Sequence, residues 1–256
     1  MSTKISSKQS IKNDLQDFYD KEAKKYYETR KKYWREWELL LSHMNSFKGK
    51  KIRILEFWCG SGRFASYLSQ QYQGEYEYVG VDFSQKLLGF AKKDHPKLSF
   101  VCEDISSFIT QQPQESFDLI IGTSSFQHIP SYKERIFLMK HFYKALAYGG
   151  KLLMTNRSFS LRFLQKHQKA LLRSRSRYLC SFWSLSRRDI LVPRTNKGKT
   201  SYRFYHLFSL KELKKLSDFS GFGVEHLAYL DNEGKSTPSR KHSTSSILVA
   251  IKKPVL

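Results

Sequence analysis

The sequence predicts an α/β protein built on a parallel sheet. Three observations lead there. Short apolar runs of strand length alternate with helical stretches from residue 52 to residue 155. A turn with two glycines, "FWCGSG", follows the first run. Acids recur at or just beyond the ends of the first three runs, as Glu56, Asp82 and Asp104. Strands that alternate with helices at this spacing pair in parallel through right-handed crossovers.

The elements follow in order. Residues 1–13 are polar and read as a loose tail. From 14 to 47, Phe18, Tyr19, Ala23, Tyr26, Tyr27, Tyr33, Trp34 and Trp37 recur near the helical period. The strands are expected at 52–57, 77–82, 98–102, 117–122 and 151–155. Helices are expected at 64–71, 85–93 and 132–147. Residues 156–205 break this rhythm with a basic, aromatic stretch centred on "RSRSRYLCSFWSLSRRD". Ser209 and Glu212 then form a capping box that opens a helix through 219. Runs at 224–230 and 246–252 complete a set of seven strands, joined by a polar loop.

The bulk composition narrows the function classes. Lys and Arg total 45 against 23 acids, a formal net charge of +22. A field of that sign draws polyanions, with nucleic acid first among them. The same charge also serves a solubilising surface or weak attraction to anionic lipid, though the basic stretches lack a clear apolar face. The apolar fraction of 40% supports a buried core. No run of about 18 apolar residues suggests a membrane span, and the polar N-terminus does not read as a signal peptide. A cytoplasmic location is therefore expected. Cys59, Cys102 and Cys180 form no CxxC pair, which argues for a reducing compartment and against structural zinc. No metal site is expected.

The candidate site lies at the carboxyl ends of the strands, where open α/β sheets bind ligands. Gly60 and Gly62 let the backbone approach a ligand closely. Asp82 ends the second strand, where a carboxylate can accept hydrogen bonds from ribose hydroxyls. Asp104 follows the third strand, with Ile105 beside it. The series of acid, glycine loop, strand-end acid, third acid and "FDLIIG" resembles the class I S-adenosylmethionine-dependent methyltransferases. The resemblance covers about residues 50–155. It implies a Rossmann-like sheet of seven mostly parallel strands, with helices on both faces and the last strand antiparallel. The domain would span 14–256, with N-terminal helices at 14–47 and a basic insertion at 156–205. It also implies S-adenosyl-L-methionine as cofactor, held by Glu56, Trp58, Cys59, Gly60, Gly62, Asp82, Phe83, Asp104 and Ile105.

Trp58 stands where the family usually has glycine. Three readings are open. The loop shifts and still binds, the site is dead, or the residue is glycine in the cell. Some genetic codes read UGA as tryptophan and others as glycine, so a wrong translation table writes one for the other. The codon at position 58 tests the last reading.

Two further stretches concern the acceptor. Thr29, Arg30 and Trp34 form TRxxxW, and Arg203, Tyr205, His206 and Phe208 lie in "RFYHLF". With Asp189, Val192, Pro193, Glu212, Leu213, Gly221 and Phe222, they resemble the methyltransferases that esterify the carboxymethyl group of a tRNA wobble uridine. Arg194 departs from that pattern, where an aromatic is expected. The resemblance implies tRNA as a partner and allows a small activator protein. Arg30 and Arg203 are candidates to hold a carboxylate or phosphate. Tyr205 and His206 are candidates to stack on or hydrogen-bond a base. Gln127 and His128, after the fourth strand, are candidate pocket residues; His128 is equally a structural histidine at a turn. Arg173, Arg175, Arg177, Arg187 and Arg188 are candidates for backbone contact. Two alternatives stay open: a small-molecule carboxyl methyltransferase and a catalytically silent RNA-binding protein.

Overall fold

The computed structural model describes residues 8–253 except 159, 171, 173–185, 187, 197–198 and 242. Arg173, Arg175, Arg177 and Arg187 fall outside the described residues. The chain opens with helix α1 (Lys8–Thr29) and the short α2 (Glu36–Ser42). Then β1 (Ile52–Phe57), α3 (Arg63–Gln71), β2 (Tyr76–Asp82), α4 (Gln85–Asp94), β3 (Ser99–Cys102) and α5 (Ile105–Thr110) alternate. They are followed by β4 (Phe117–Thr123), α6 (Tyr132–Ala145), β5 (Leu146–Arg157) and α7 (Leu161–Lys166). A hairpin of β6 (Asp189–Asn196) and β7 (Lys199–His206) precedes α8 (Leu210–Phe219), and β8 (Gly223–Leu230), β9 (Ser236–Thr237) and β10 (Ser245–Ile251) end the fold.

The main sheet runs β3-β2-β1-β4-β5-β10-β8-β9. Its first five strands are parallel, and β10 is antiparallel between β5 and β8. The sheet has eight strands where seven were expected. The extra one is β9, a two-residue polar edge strand with no apolar pattern to announce it. The strand order reverses between β1 and β4, so a crevice opens beyond their carboxyl ends.

Strands buried on both faces read as unbroken apolar runs. Leu55 and Phe57 of β1 enter one core with Phe108 of α5, Phe142 of α6 and Leu216 of α8. Ile52 and Ile54 enter the opposite core with Trp37 of α2, Phe64 of α3 and Ala91 of α4. Helices thus cover both faces. Their starts are set locally. Ser84, Asp104, Ser131 and Ser209 each accept a hydrogen bond from a first-turn N–H, which satisfies a donor the helix leaves unpaired.

Three points of the N-terminal and insertion readings change. The helix begins at Lys8, inside the expected loose tail, because Ile11 and Leu15 are buried against Leu191 and Phe204 of the hairpin. The helical stretch also breaks at Arg30–Arg35, where four cations fall in six residues and would repel along a continued helix. The insertion, meanwhile, is not irregular at its C-terminal end. Its β6–β7 hairpin packs with α1 over the carboxyl edge of the sheet.

Candidate active site

The loop after β1 is built from left-handed residues. Trp58 has φ +53°, Gly60 +57° and Gly62 +72°. A left-handed residue with a Cβ is strained by about 1–2 kcal/mol, which glycine avoids. The conformation at position 58 therefore favours the glycine expected there, and tryptophan sits there under strain. Gly62 is also packed closely: a Cβ would lie 3.2 Å from that of Ala91.

Asp82 is buried at the end of β2 and is fixed by this loop. Its carboxylate accepts from the Gly60 N–H at 2.8 Å and the Ser84 N–H at 2.8 Å. Burial raises its pKa to about 6. Glu56 is buried within β1 and accepts from the Tyr78 hydroxyl. Burial raises its pKa to about 8, outweighing the lowering by Tyr78. Cys59 is buried with its thiol beneath Gly80. Asp104 caps α5 with one oxygen, and its other oxygen lies 3.2 Å from Lys12 Nζ of α1. Asp104 is thus engaged from two sides. Ile105 is in the core beneath it.

Two small cavities lie along this trough. One of about 60 Å³ is lined by Gly60, Asp82, Tyr19 and Ser125. One of about 210 Å³ is lined by Asp104, Lys12 and Cys102. Trp58, Phe83 and His128 line both, so they form the wall between them. The Trp58 indole N–H and the Ser125 hydroxyl are buried without a protein partner. The loop conformation, the strand-end acids and the unmatched Ser125 hydroxyl fit a nucleoside cofactor. The Trp58 side chain is the element that does not.

A larger cleft of about 590 Å³ adjoins the first cavity and shares Tyr19, Tyr26, Trp34, Ser124 and His128 with it. Arg30, Arg157 and Arg203 line this cleft, together with Tyr205, and among the described residues no acid does. Arg203 packs over the rings of Phe18 and Tyr205, and its Nε is buried and unpaired. Gln127 reaches the cleft, but its side chain is occupied. It donates to the Ser124 carbonyl at 3.0 Å and accepts from the Arg157 N–H. His128 is buried, with Nδ1 2.7 Å from the Phe204 carbonyl and Nε2 3.3 Å from the Tyr19 hydroxyl. Burial lowers its pKa to about 4, so at neutral pH it is uncharged, donates from Nδ1 and is a weak base.

His206 is the correction among the acceptor residues. Neighbours in a strand point to opposite faces, so Tyr205 faces the cleft and His206 faces away. There, His206 lies 2.6 Å from Asp189 and 2.8 Å from Glu212, and Arg188 reaches Glu212 at 3.3 Å. This group ties the hairpin to α8. Sequence reasoning missed Arg157, Tyr19 and Lys12 as site residues. Arg157 ends β5 at the sheet's carboxyl edge, the same positional signal that pointed to Asp82.

Residues 54–150 match the family model described as a methyltransferase domain. A methyltransferase of Encephalitozoon cuniculi is 27% identical over 217 residues, covering 81% of this chain and 86% of that protein. A malonyl-[acyl-carrier protein] O-methyltransferase of Paenibacillus is 27% identical over 126 residues, but that match spans only 47% of this chain and 44% of the relative. Among solved structures, a SAM-dependent methyltransferase of Methanosarcina mazei superposes with a TM-score of 0.65 at 19% identity, covering 82% of this chain and 97% of that one. The methyltransferase bound to the Trm112 methyltransferase activator of Haloferax volcanii gives 0.66 at 13% identity, covering 94% and 99%. Fold, loop and domain match define the class: this is an S-adenosylmethionine-dependent methyltransferase with the class I Rossmann-like fold. Its cofactor is S-adenosyl-L-methionine.

Proposed function

We propose that this enzyme methylates a carboxylate carried by RNA, with the carboxymethyl group of a tRNA wobble uridine as the favoured acceptor. The observation that carries this reading is the 590 Å³ cleft, lined among the described residues by three arginines and no acid, next to the cofactor loop. S-adenosyl-L-methionine would supply an electrophilic methyl group, and Glu56, Gly60, Gly62, Asp82, Asp104 and Ile105 would hold it. The chain's own task is to bind and orient the acceptor.

A carboxylate is ionised at neutral pH and needs no base to remove a proton. That suits a site whose nearest imidazole, His128, is held neutral and poorly basic. Arg157 and Arg203 are placed to fork a carboxylate or a phosphate. Tyr205 and Trp34 offer faces for an unstacked base. The net charge of +22 supports a polyanionic carrier over a free small acid. A small activator subunit remains part of this reading, in keeping with the activator-bound neighbour.

A second reading, a small-molecule carboxyl methyltransferase, is favoured by the Paenibacillus relative, whose name specifies a malonyl carboxylate on an acyl-carrier protein and not an RNA. Free carboxylic acids would use the same arginines. The test is transfer of labelled methyl to tRNA bearing carboxymethyl-uridine, to unmodified tRNA and to small dicarboxylic acids. Alkali-labile label in the modified tRNA alone is the expected result. Label in the free acids alone establishes the second reading.

A further inference from the structure

We infer that a lysine-rich groove between α1 and α4 binds the RNA phosphate backbone outside the catalytic cleft. The inference rests on the RNA reading above. The groove has a volume of about 460 Å³, and Lys21 and Lys24 of α1 face Lys86 and Lys93 of α4 across it. The one acid in its wall, Asp20, is turned to the capping residue Ser84, whose hydroxyl it accepts at 2.5 Å. Lys21 and Lys24 have Asp17 and Glu28 as neighbours along α1, but these are exposed pairs. Such pairs are worth little and yield readily to a polyanion.

The floor of the groove is bare for no packing reason. Gly89 lies inside α4, where glycine costs a helix about 1 kcal/mol relative to alanine. Its φ is not left-handed, and a Cβ built there would meet nothing within 4 Å. Neither conformation nor crowding requires glycine. What it leaves is open space between the lysines. At the rim, Phe90 stacks on Tyr27 with ring centres 4.3 Å apart, and Lys31 sits 3.6 Å over the Tyr27 ring.

The same helix serves both sites. Tyr19 and Tyr26 follow one stripe of α1 into the cleft, and Arg30 lies just beyond the helix end. Asp20, Lys24 and Tyr27 follow the adjacent stripe, about 100° round at 3.6 residues per turn. A strand whose base enters the cleft therefore has a positively charged path over α1 onto α4.

The experiment measures total-tRNA binding by fluorescence anisotropy across a sodium chloride series, for wild type, K86E/K93E and Gly89→Leu. The expected result for the double variant is affinity weaker by at least about tenfold and a log–log salt slope shallower by about two, one per lost phosphate contact. Gly89→Leu fills the groove without removing charge and should weaken binding with the slope kept. Cofactor affinity by calorimetry should match wild type for both and reports an intact fold. Unchanged tRNA affinity and slope in the variants would overturn the groove even if wild type methylates tRNA. Weakened binding in the variants without methylation of any tRNA by wild type would instead uphold the groove and sink the substrate reading.

Discussion

Trp58 concentrates the question of activity into one side chain. It is held at φ +53°, its indole N–H is buried and unpaired, and it walls off two parts of one trough. Trp58→Gly should strengthen S-adenosylmethionine binding by at least about tenfold, or about 1.4 kcal/mol, measured by calorimetry. Equal affinity would mean that the indole swings aside at no cost. The acids in this trough give the pH behaviour. Glu56, with its pKa raised to about 8, keeps a proton in the fold that the unfolded chain has released. Its stabilising contribution is complete below the ordinary carboxylate value and is lost as pH rises through about 8. Asp82 acts in the same direction up to about pH 6, while His128 acts oppositely and costs stability as pH falls from 6.5 through 4. Glu56→Gln keeps an acceptor for Tyr78, and should flatten the decline in denaturant stability between pH 5 and 8, leaving the variant the more stable form at the alkaline end. A variant with the wild-type slope would remove Glu56 as its source. Sequence position alone identified these acids. What Asp104 is bonded to was not legible there, because its partner Lys12 lies 92 residues away.

At the scale of elements, the central parallel strands β1, β4 and β5 were readable because most of their residues are buried and each carries an apolar run. The β6–β7 hairpin was not. Its residues also divide between two small cores, with Ile190 and Val192 on one side and Leu191 and Phe204 on the other. In sequence they were masked by the surrounding arginines. The hairpin is fastened to α8 by the buried Asp189, His206 and Glu212 group. Removing Asp189 leaves the buried His206 Nδ1 without its hydrogen-bond partner and costs about 1–3 kcal/mol. Asp189→Ala should therefore lower the thermal midpoint by roughly 2–12 °C for a chain of this size. A drop of a degree or less would show that the hairpin is held by its apolar contacts alone. Arg30, Arg203 and Tyr205 were found from their motifs and do line one cleft. His206 was misassigned because adjacent strand residues cannot share a face.

The whole molecule carries its charge as a standing cost. A net +22 on one chain repels itself, and salt screens that repulsion over about 10 Å at 0.1 M. Raising sodium chloride from 20 to 200 mM should raise the thermal midpoint by a few degrees, on the order of 1 kcal/mol. Scanning calorimetry reads this directly, and a falling midpoint would mean that ion pairs such as Arg53–Asp118 dominate instead. Helix α1 gives the fold a further property. Lys12, near one end of α1, lines the cofactor trough, and Tyr26, near its other end, lines the acceptor cleft, both on one helix of 22 residues. A ligand that shifts this helix at either end changes the fit at the other. Thermodynamic reciprocity then fixes the exchange: the factor by which cofactor alters acceptor affinity equals the factor by which acceptor alters cofactor affinity. The helix makes two binding events one coupled equilibrium.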